Sequence, residues 1–301
     1  MFIVQELIRE LSEAFGPSGE ENIVRDIIIR EIESLVDEIK IDSMGNVIAL
    51  KKAATSDGKG KDKGGKSGKR IMFAAHMDEI GLIITHIDEK GFLRIAPVGG
   101  LNPVHLVGQR FKFSNGLAGT VNHEKIKDIK ELEWSKLYMD MGAKDKKSAL
   151  KTVKVGSMSV YGQQFSLAGD CFMGKAMDNR IGCFVLIEAI KNLTAKSVND
   201  LYFVFTVQEE VGLRGARGAA YGIEPDYAVA VDVTRSGDTP DAPLMEVSLG
   251  KGPAVKVMDS STSWMPGGSA VNITASTGSG EGRSLILLNC FKTISEMVPI
   301  V

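Results

Sequence analysis

Strand-length apolar segments alternate with helical ones in two separate blocks of this 301-residue chain, and a long stretch between the blocks follows neither rhythm. In the first block, Leu7, Ile8, Leu11 and Phe15 recur at steps of three and four, the spacing of one helix face, until Gly16-Pro17-Ser18-Gly19 ends the run. A second amphipathic helix is predicted from about Glu20 to Val36, followed by strands at Asn46–Leu50 and Arg70–Ala75. The second block predicts a helix from about Asp178 to Leu193, a strand Leu201–Thr206, a small-residue helix from about Arg214 to Tyr221 and a strand Tyr227–Val231. Strands alternating with helices predict a largely parallel sheet covered on both faces. Between the blocks, from about Gly81 to Leu167, short β segments alternate with glycine turns: Leu82–His86, Phe92–Ile95, Gln109–Phe113, Gly119–Val121 and Ser157–Val160. The chain therefore reads as an α/β domain of residues 1–80 and 167–301 carrying a β-rich insert, residues 81–166.

Two segments stand outside this scheme. Residues 53–69 are a Gly/Lys/Ser/Asp run with no apolar residue after Ala54, predicted to be a solvated loop; a basic patch is the alternative. Residues 259–284 are dominated by Ser, Thr and Gly without a sustained period, and beyond them only Leu285–Cys290 and Ile294–Val301 are expected to add a strand or short helix. The net charge of -2 provides no global field for nucleic acid or an anionic membrane, so neither is expected as a partner. Three cysteines, Cys171, Cys183 and Cys290, are an odd number without CxxC spacing, which points to a reducing compartment. Charge interrupts the first residues too early for a signal peptide, and no apolar run reaches the roughly 20 residues that span a bilayer. A cytoplasmic protein is expected.

Four segments place imidazole or carboxylate groups just after apolar strands or at a helix start: Ala74-Ala75-His76-Met77-Asp78-Glu79, Lys175-Ala176-Met177-Asp178-Asn179-Arg180, Val207-Gln208-Glu209-Glu210-Val211-Gly212 and Ala230-Val231-Asp232-Val233. Singly, each has an ordinary explanation. His76 could be a satisfied strand-end residue, Asp178 a helix cap, Glu209-Glu210 a solvated loop and Asp232 a turn residue. Together they would converge at the carboxyl ends of parallel strands, where open α/β sheets bind ligands. Carboxylates placed that close repel unless a cation neutralises them. One histidine with several carboxylates suits Zn²⁺, Co²⁺ or Mn²⁺, Asp78 can steady the ring of His76, and a carboxylate that is not a ligand can take a proton from water.

These residues resemble metallopeptidase family forty-two, which includes glutamyl and tetrahedral aminopeptidases and some proteins labelled cellulase M or endoglucanase. The likeness is carried by Gly16-Pro17-Ser18-Gly19 with Glu21, Asp42-Ser43-Met44-Gly45-Asn46, His76-Met77-Asp78-Glu79-Ile80-Gly81, Lys175-Ala176-Met177-Asp178-Asn179-Arg180, Gln208-Glu209-Glu210-Val211-Gly212 and Asp232, over roughly residues 1–260. It implies a three-layer α/β/α zinc-aminopeptidase-like catalytic domain with a small barrel-like insert used for assembly as a dimer or a twelve-subunit shell. It also implies two divalent ions, Zn²⁺ or Co²⁺: His76 and Asp232 on one, Glu210 on the other and Asp178 bridging both. Glu209 would be the general base and Asp78 would orient His76. The implied substrate is a short peptide that loses its amino-terminal residue.

The chain departs from the family in its last forty residues. The family's further histidine ligand near the C-terminus has no counterpart, since the four histidines are His76, His86, His105 and His123, and the tail is shorter. A weak second metal and reduced activity are expected on that ground. The last three histidines, lying in the insert, are expected to be surface or structural residues. Two other functions compete: a binding or assembly subunit that keeps the fold, and a glycoside hydrolase, which needs two carboxylates and generally no metal.

Overall fold

A computed structural model describes residues 2–54, 68–194, 196–240, 247–256 and 269–275. Helices α1 (Phe2–Glu13) and α2 (Asn22–Ile32) precede strands β1 (Glu38–Ile41), β2 (Val47–Lys51) and β3 (Arg70–His76). The barrel segment follows, with β4 (Gly81–Ile87), β5 (Leu93–Val98), the one-turn helix α3 (Pro103–Leu106), β6 (Arg110–Phe113), β7 (Ala118–His123), β8 (Leu137–Asp140), the one-turn helix α4 (Lys146–Ala149) and β9 (Met158–Tyr161). A hairpin of β10 (Ser166–Ala168) and β11 (Cys171–Met173) leads to α5 (Met177–Asn192), β12 (Asp200–Thr206), α6 (Arg214–Ile223), β13 (Tyr227–Val233), β14 (Ala254–Lys256) and β15 (Ser269–Ala275).

The main sheet has the order β1-β2-β12-β3-β13-β15-β14. Its centre, β12, β3, β13 and β15, is parallel, and antiparallel strands flank it on both sides. Side-chain alternation divides the sheet into two apolar faces. Ile71, Phe73, Ala75, Leu201, Phe203, Phe205, Val229 and Val231 pack under α1, α2 and α5. Met72, Val204, Ala74, Tyr202 and Ala228 face α6 through its Ala219, Ala220 and Ile223. These are the three layers of an α/β/α fold. The first face is the larger core, where the Phe73 and Phe203 rings stack at 5.4 Å.

The insert closes into a six-stranded antiparallel barrel, β4-β5-β8-β7-β6-β9, with its own core of Leu82, Ile84, Leu93, Phe111, Val121, Leu137 and Met139. Five of its strands match those predicted. The sixth, β8, was not predicted, and its pairing with β5 and β7 closes the barrel. The expectation of no regular element in 259–284 is corrected by β15, which pairs in register beside β13 from Tyr227–Ser269 to Val233–Ala275. Val271 and Ile273 alternate with polar Asn272 and Thr274, a signal too short to rise above the Ser/Gly background. The central part of the 53–69 run, and both Leu285–Cys290 and Ile294–Val301, lie outside the described residues.

Candidate active site

The parallel strands deliver their chemistry at one edge. His76 is the last residue of β3, Glu209 and Glu210 follow β12, Asp232 is the penultimate residue of β13, and Asp178 enters from the start of α5. One ligand atom each from His76, Asp178 and Asp232 lies within 4.8 Å of the others, and the same holds for His76, Glu209 and Glu210. His76 Nε2 is 3.0 Å from Asp178 Oδ1 and 3.8 Å from Glu209 Oε2. The four carboxylates singled out in the sequence thus gather around the His76 imidazole.

Asp78 is fully buried. His76 Nδ1 lies 3.1 Å from its main-chain carbonyl and 3.4 Å from its carboxylate. A proton on Nδ1 donated to that carbonyl turns Nε2 toward Asp178 and Glu209. The Asp78 carboxylate accepts from Ser18 Oγ (2.5 Å), Glu209 N (2.9 Å) and Glu210 N (3.1 Å). It therefore anchors the glutamate loop as well as standing beside the histidine. Burial raises its pKa, but hydrogen bonds from His76, Ser18 and the Glu209 amide, together with the His76 charge, outweigh burial and hold it low.

Residues that sequence reasoning quoted without a role form the frame. Glu21 accepts from Gly19 N and from Gln208 N, tying the first turn to the glutamate loop. Asn46 accepts from Val207 N and donates to the Gly215 carbonyl, which fixes the end of β12 against α6. An added Cβ at Gly215 would lie 2.3 Å from the Val207 carbonyl oxygen and 2.4 Å from Asn46 Oδ1, so only glycine admits this approach. Asn179 donates to the Val231 carbonyl and accepts from Gly182 N, capping the regular part of α5. Asp178 itself keeps non-helical backbone angles and is not the cap. Buried Glu79 receives Lys175 Nζ (2.7 Å) and Arg180 (3.2 Å), and Arg180 also donates to the carbonyls of Met77, Leu11 and Ala14. Breaking such a buried pair by removing one partner strands a charge, so these residues lock the segments carrying His76 and Asp178 together.

The acidic cluster is electrostatically unsatisfied on its own. Burial is the largest cause raising Glu210 to about 7; the charges of Asp178, Glu209 and Asp78 add to it, while His76 opposes it. Glu209 is raised for the same reasons, with Asp232 contributing. Burial lowers the His76 imidazole, yet its hydrogen bonds to Asp178 and Asp78 and the charges of Asp78 and Asp232 hold its pKa well above 6.5. All three raised groups have the same linkage sign. A raised carboxylate opposes folding as pH climbs from 4.5 to its folded value, and a raised histidine loses its contribution as pH climbs through its folded value. The protein stripped of metal is expected to lose thermal stability as pH rises from 4.5 to about 7 and beyond. Divalent ions should restore that stability increasingly at higher pH, a trend that differential scanning calorimetry with and without chelator measures.

Residues 59–270 match the family described as M42 glutamyl aminopeptidase. The chain belongs to the M42 glutamyl aminopeptidase family. A relative from Acetivibrio thermocellus is 50% identical over 257 residues, covering 85% of this chain and 74% of its own length. A protein named lysyl aminopeptidase from Pyrococcus furiosus is 34% identical over 84% of this chain and 72% of its own. Among solved structures, a TET aminopeptidase from a marine-sediment thaumarchaeote has a TM-score of 0.85 at 29% identity, covering 98% of this chain and 96% of that one. The Pyrococcus horikoshii TET1 peptidase, described as assembling into a tetrahedron or a large octahedral shell, has a TM-score of 0.78 at 29% identity, covering 98% of this chain and 99% of that one. M42 membership makes the protein an aminopeptidase-family hydrolase. No helix among the described residues is long and apolar enough to cross a membrane.

Proposed function

We propose that the protein is a metal-dependent aminopeptidase that removes the amino-terminal residue of short peptides, with the site at the carboxyl edge of the main sheet. The observation that carries this reading is the grouping of His76, Asp178 and Asp232 within 4.8 Å, beside a second grouping of His76, Glu209 and Glu210. This donor set fits a borderline divalent cation such as Zn²⁺ or Co²⁺: one imidazole, several carboxylates and no thiolate. Burial first, and the neighbouring carboxylates second, raise Glu209 and Glu210, and a bound cation offsets both effects. His76, Asp178 and Asp232 would hold the first ion, and Glu210 with Asp178 a second, weaker one. Bound there, the ions supply Lewis acidity for amide hydrolysis.

The protein's own groups do the rest. Glu209 takes the proton of the attacking water on a carboxylate oxygen and passes it to the leaving amine. Burial moves its pKa toward neutrality, which suits a group that must both accept and return a proton. Asp78 holds His76 through its carbonyl and the Glu209–Glu210 backbone through its carboxylate. The free amine of the substrate would sit against a carboxylate of this cluster or a bound ion. A histidine among clustered carboxylates favours this chemistry over the separated carboxylate pair of a glycosidase. The barrel is read as the assembly module of a cytoplasmic homo-oligomer, by likeness to the TET1 shells.

Assays on Leu-, Glu- and Lys-p-nitroanilide test this reading. Chelator-sensitive release that Co²⁺ or Zn²⁺ restores is expected; metal-independent release, or none on any substrate, would contradict it.

A further inference from the structure

Between the barrel and the carboxyl edge of the sheet lies a cavity of about 450 Å³. Asp178 and Glu210 line it at one end, and the barrel contributes His105, Gln109, Tyr161 and Gln163. A second cavity, of about 220 Å³, shares Tyr161, Gln163 and Lys175 with the first and continues between the end of α1 and the barrel. Asp178 and Glu210 line only the first, so the adjoining pair extends beyond the acidic cluster.

The chemistry of the barrel wall is specific. The side-chain polar groups of His105, Gln109, Tyr161 and Gln163 have no hydrogen-bond partner among the described residues. Lys175, on the opposite wall, is already spent on Glu79 and the Ala14 carbonyl. Imidazole, amide and phenol groups each donate and accept, so unused capacity of both kinds converges on one side of the path. An extended peptide offers the complement, alternating N–H and C=O along an edge, at about 3.3–3.6 Å per residue.

We propose that these joined cavities are the subsites for the part of the peptide on the carboxyl side of the cleaved bond. In them the barrel residues His105, Gln109 and Gln163 hydrogen-bond the substrate backbone. The assignment rests on the aminopeptidase reading, because an enzyme that removes one residue needs a multi-residue path only for the remainder of the chain. It makes the barrel a part of the substrate site. It also gives His105, expected from the sequence to be a surface or structural residue, a positioning role.

The test uses the metal-loaded full chain and the double variant His105→Ala/Gln163→Ala, with His105→Gln, which retains a donor and an acceptor, as the conservative control. Two ligands are compared. A leucyl tetrapeptide fills the path, whereas Leu-p-nitroanilide ends just past the scissile bond. The ratio of kcat/KM for tetrapeptide over anilide is expected to fall about tenfold in the double variant and to recover largely in His105→Gln, about 1.4 kcal/mol of transition-state binding. A tetrapeptide with a reduced scissile bond, titrated calorimetrically, is expected to bind the double variant about tenfold more weakly, with or without turnover. Failure of the aminopeptidase reading shows as no hydrolysis of either substrate. Failure of the subsite shows separately, as an unchanged ratio or an unchanged affinity for the reduced peptide, or as no binding of that peptide to the parent protein, any of which would overturn the proposal.

Discussion

Replacing Glu209 with glutamine is expected to lower kcat by about 10²–10⁴-fold, the usual contribution of a positioned general base, while leaving bound metal unchanged. The amide keeps the size of the carboxylate and cannot accept the proton. The Glu209 backbone N–H that reaches Asp78 is untouched, so the loop stays in place. His76, Asp178 and Asp232 remain as a complete three-residue group. Steady-state kinetics combined with metal analysis by mass spectrometry separates the two effects. A variant that loses its metal along with its rate would place Glu209 among the ligands, and one that keeps its rate would remove it from the mechanism.

The second large effect is at Asp78. Its carboxylate is the acceptor for the Ser18 hydroxyl and for the two successive backbone amides of Glu209 and Glu210, so it joins two distant parts of the chain. Asp78→Ala leaves these donors without their partner at a fully buried position, at roughly 1–3 kcal/mol for each buried unsatisfied group. Partial relaxation of the loop reduces the total, so a loss of about 3–5 kcal/mol is expected in urea denaturation. Activity should fall as well, because Glu209 and Glu210 lose the anchor that aims them. The exposed pair Lys146–Glu89 provides the contrast: Lys146→Ala should change stability by less than about 1 kcal/mol. Equal effects at the two positions would mean that Asp78 is not the structural centre described here.

The parts of this molecule that were legible in the sequence are those with long or repeated signals. The apolar faces of α1 and α2, the buried run of α5 and the central strands β3, β12 and β13 each carry a continuous pattern, and their alternation specified the α/β/α layers. The candidate site was legible because four segments carrying imidazole or carboxylate groups recur at strand ends or a helix start, although each alone has an ordinary explanation. Strand β8 was missed because four residues beside Trp134 give little periodicity, and barrel closure depends on pairing with strands distant in sequence. Strand β15 was missed because its two apolar residues sit in a Ser- and Gly-rich stretch.

The frame residues were visible as motifs but had no readable role. Asn46, Glu21 and Arg180 act on backbone groups up to 187 positions away, and a single sequence does not say which amides lack partners. His105 illustrates the same limit from the other side. Its neighbours in sequence give it no role, and its place in the cavity that Asp178 and Glu210 also line appears only when the barrel is folded against the sheet.

His76, Asp178, Asp232 and Glu210, at the edge of the sheet, are the groups proposed to hold divalent metal. Crystals grown with Co²⁺ and measured on both sides of the cobalt absorption edge test this assignment directly. The predicted result is an anomalous peak in contact with His76 Nε2 and the carboxylates of Asp178 and Asp232, with a weaker one at Glu210. A map with no peak at His76, or cobalt bound only at surface carboxylates elsewhere, would contradict the account.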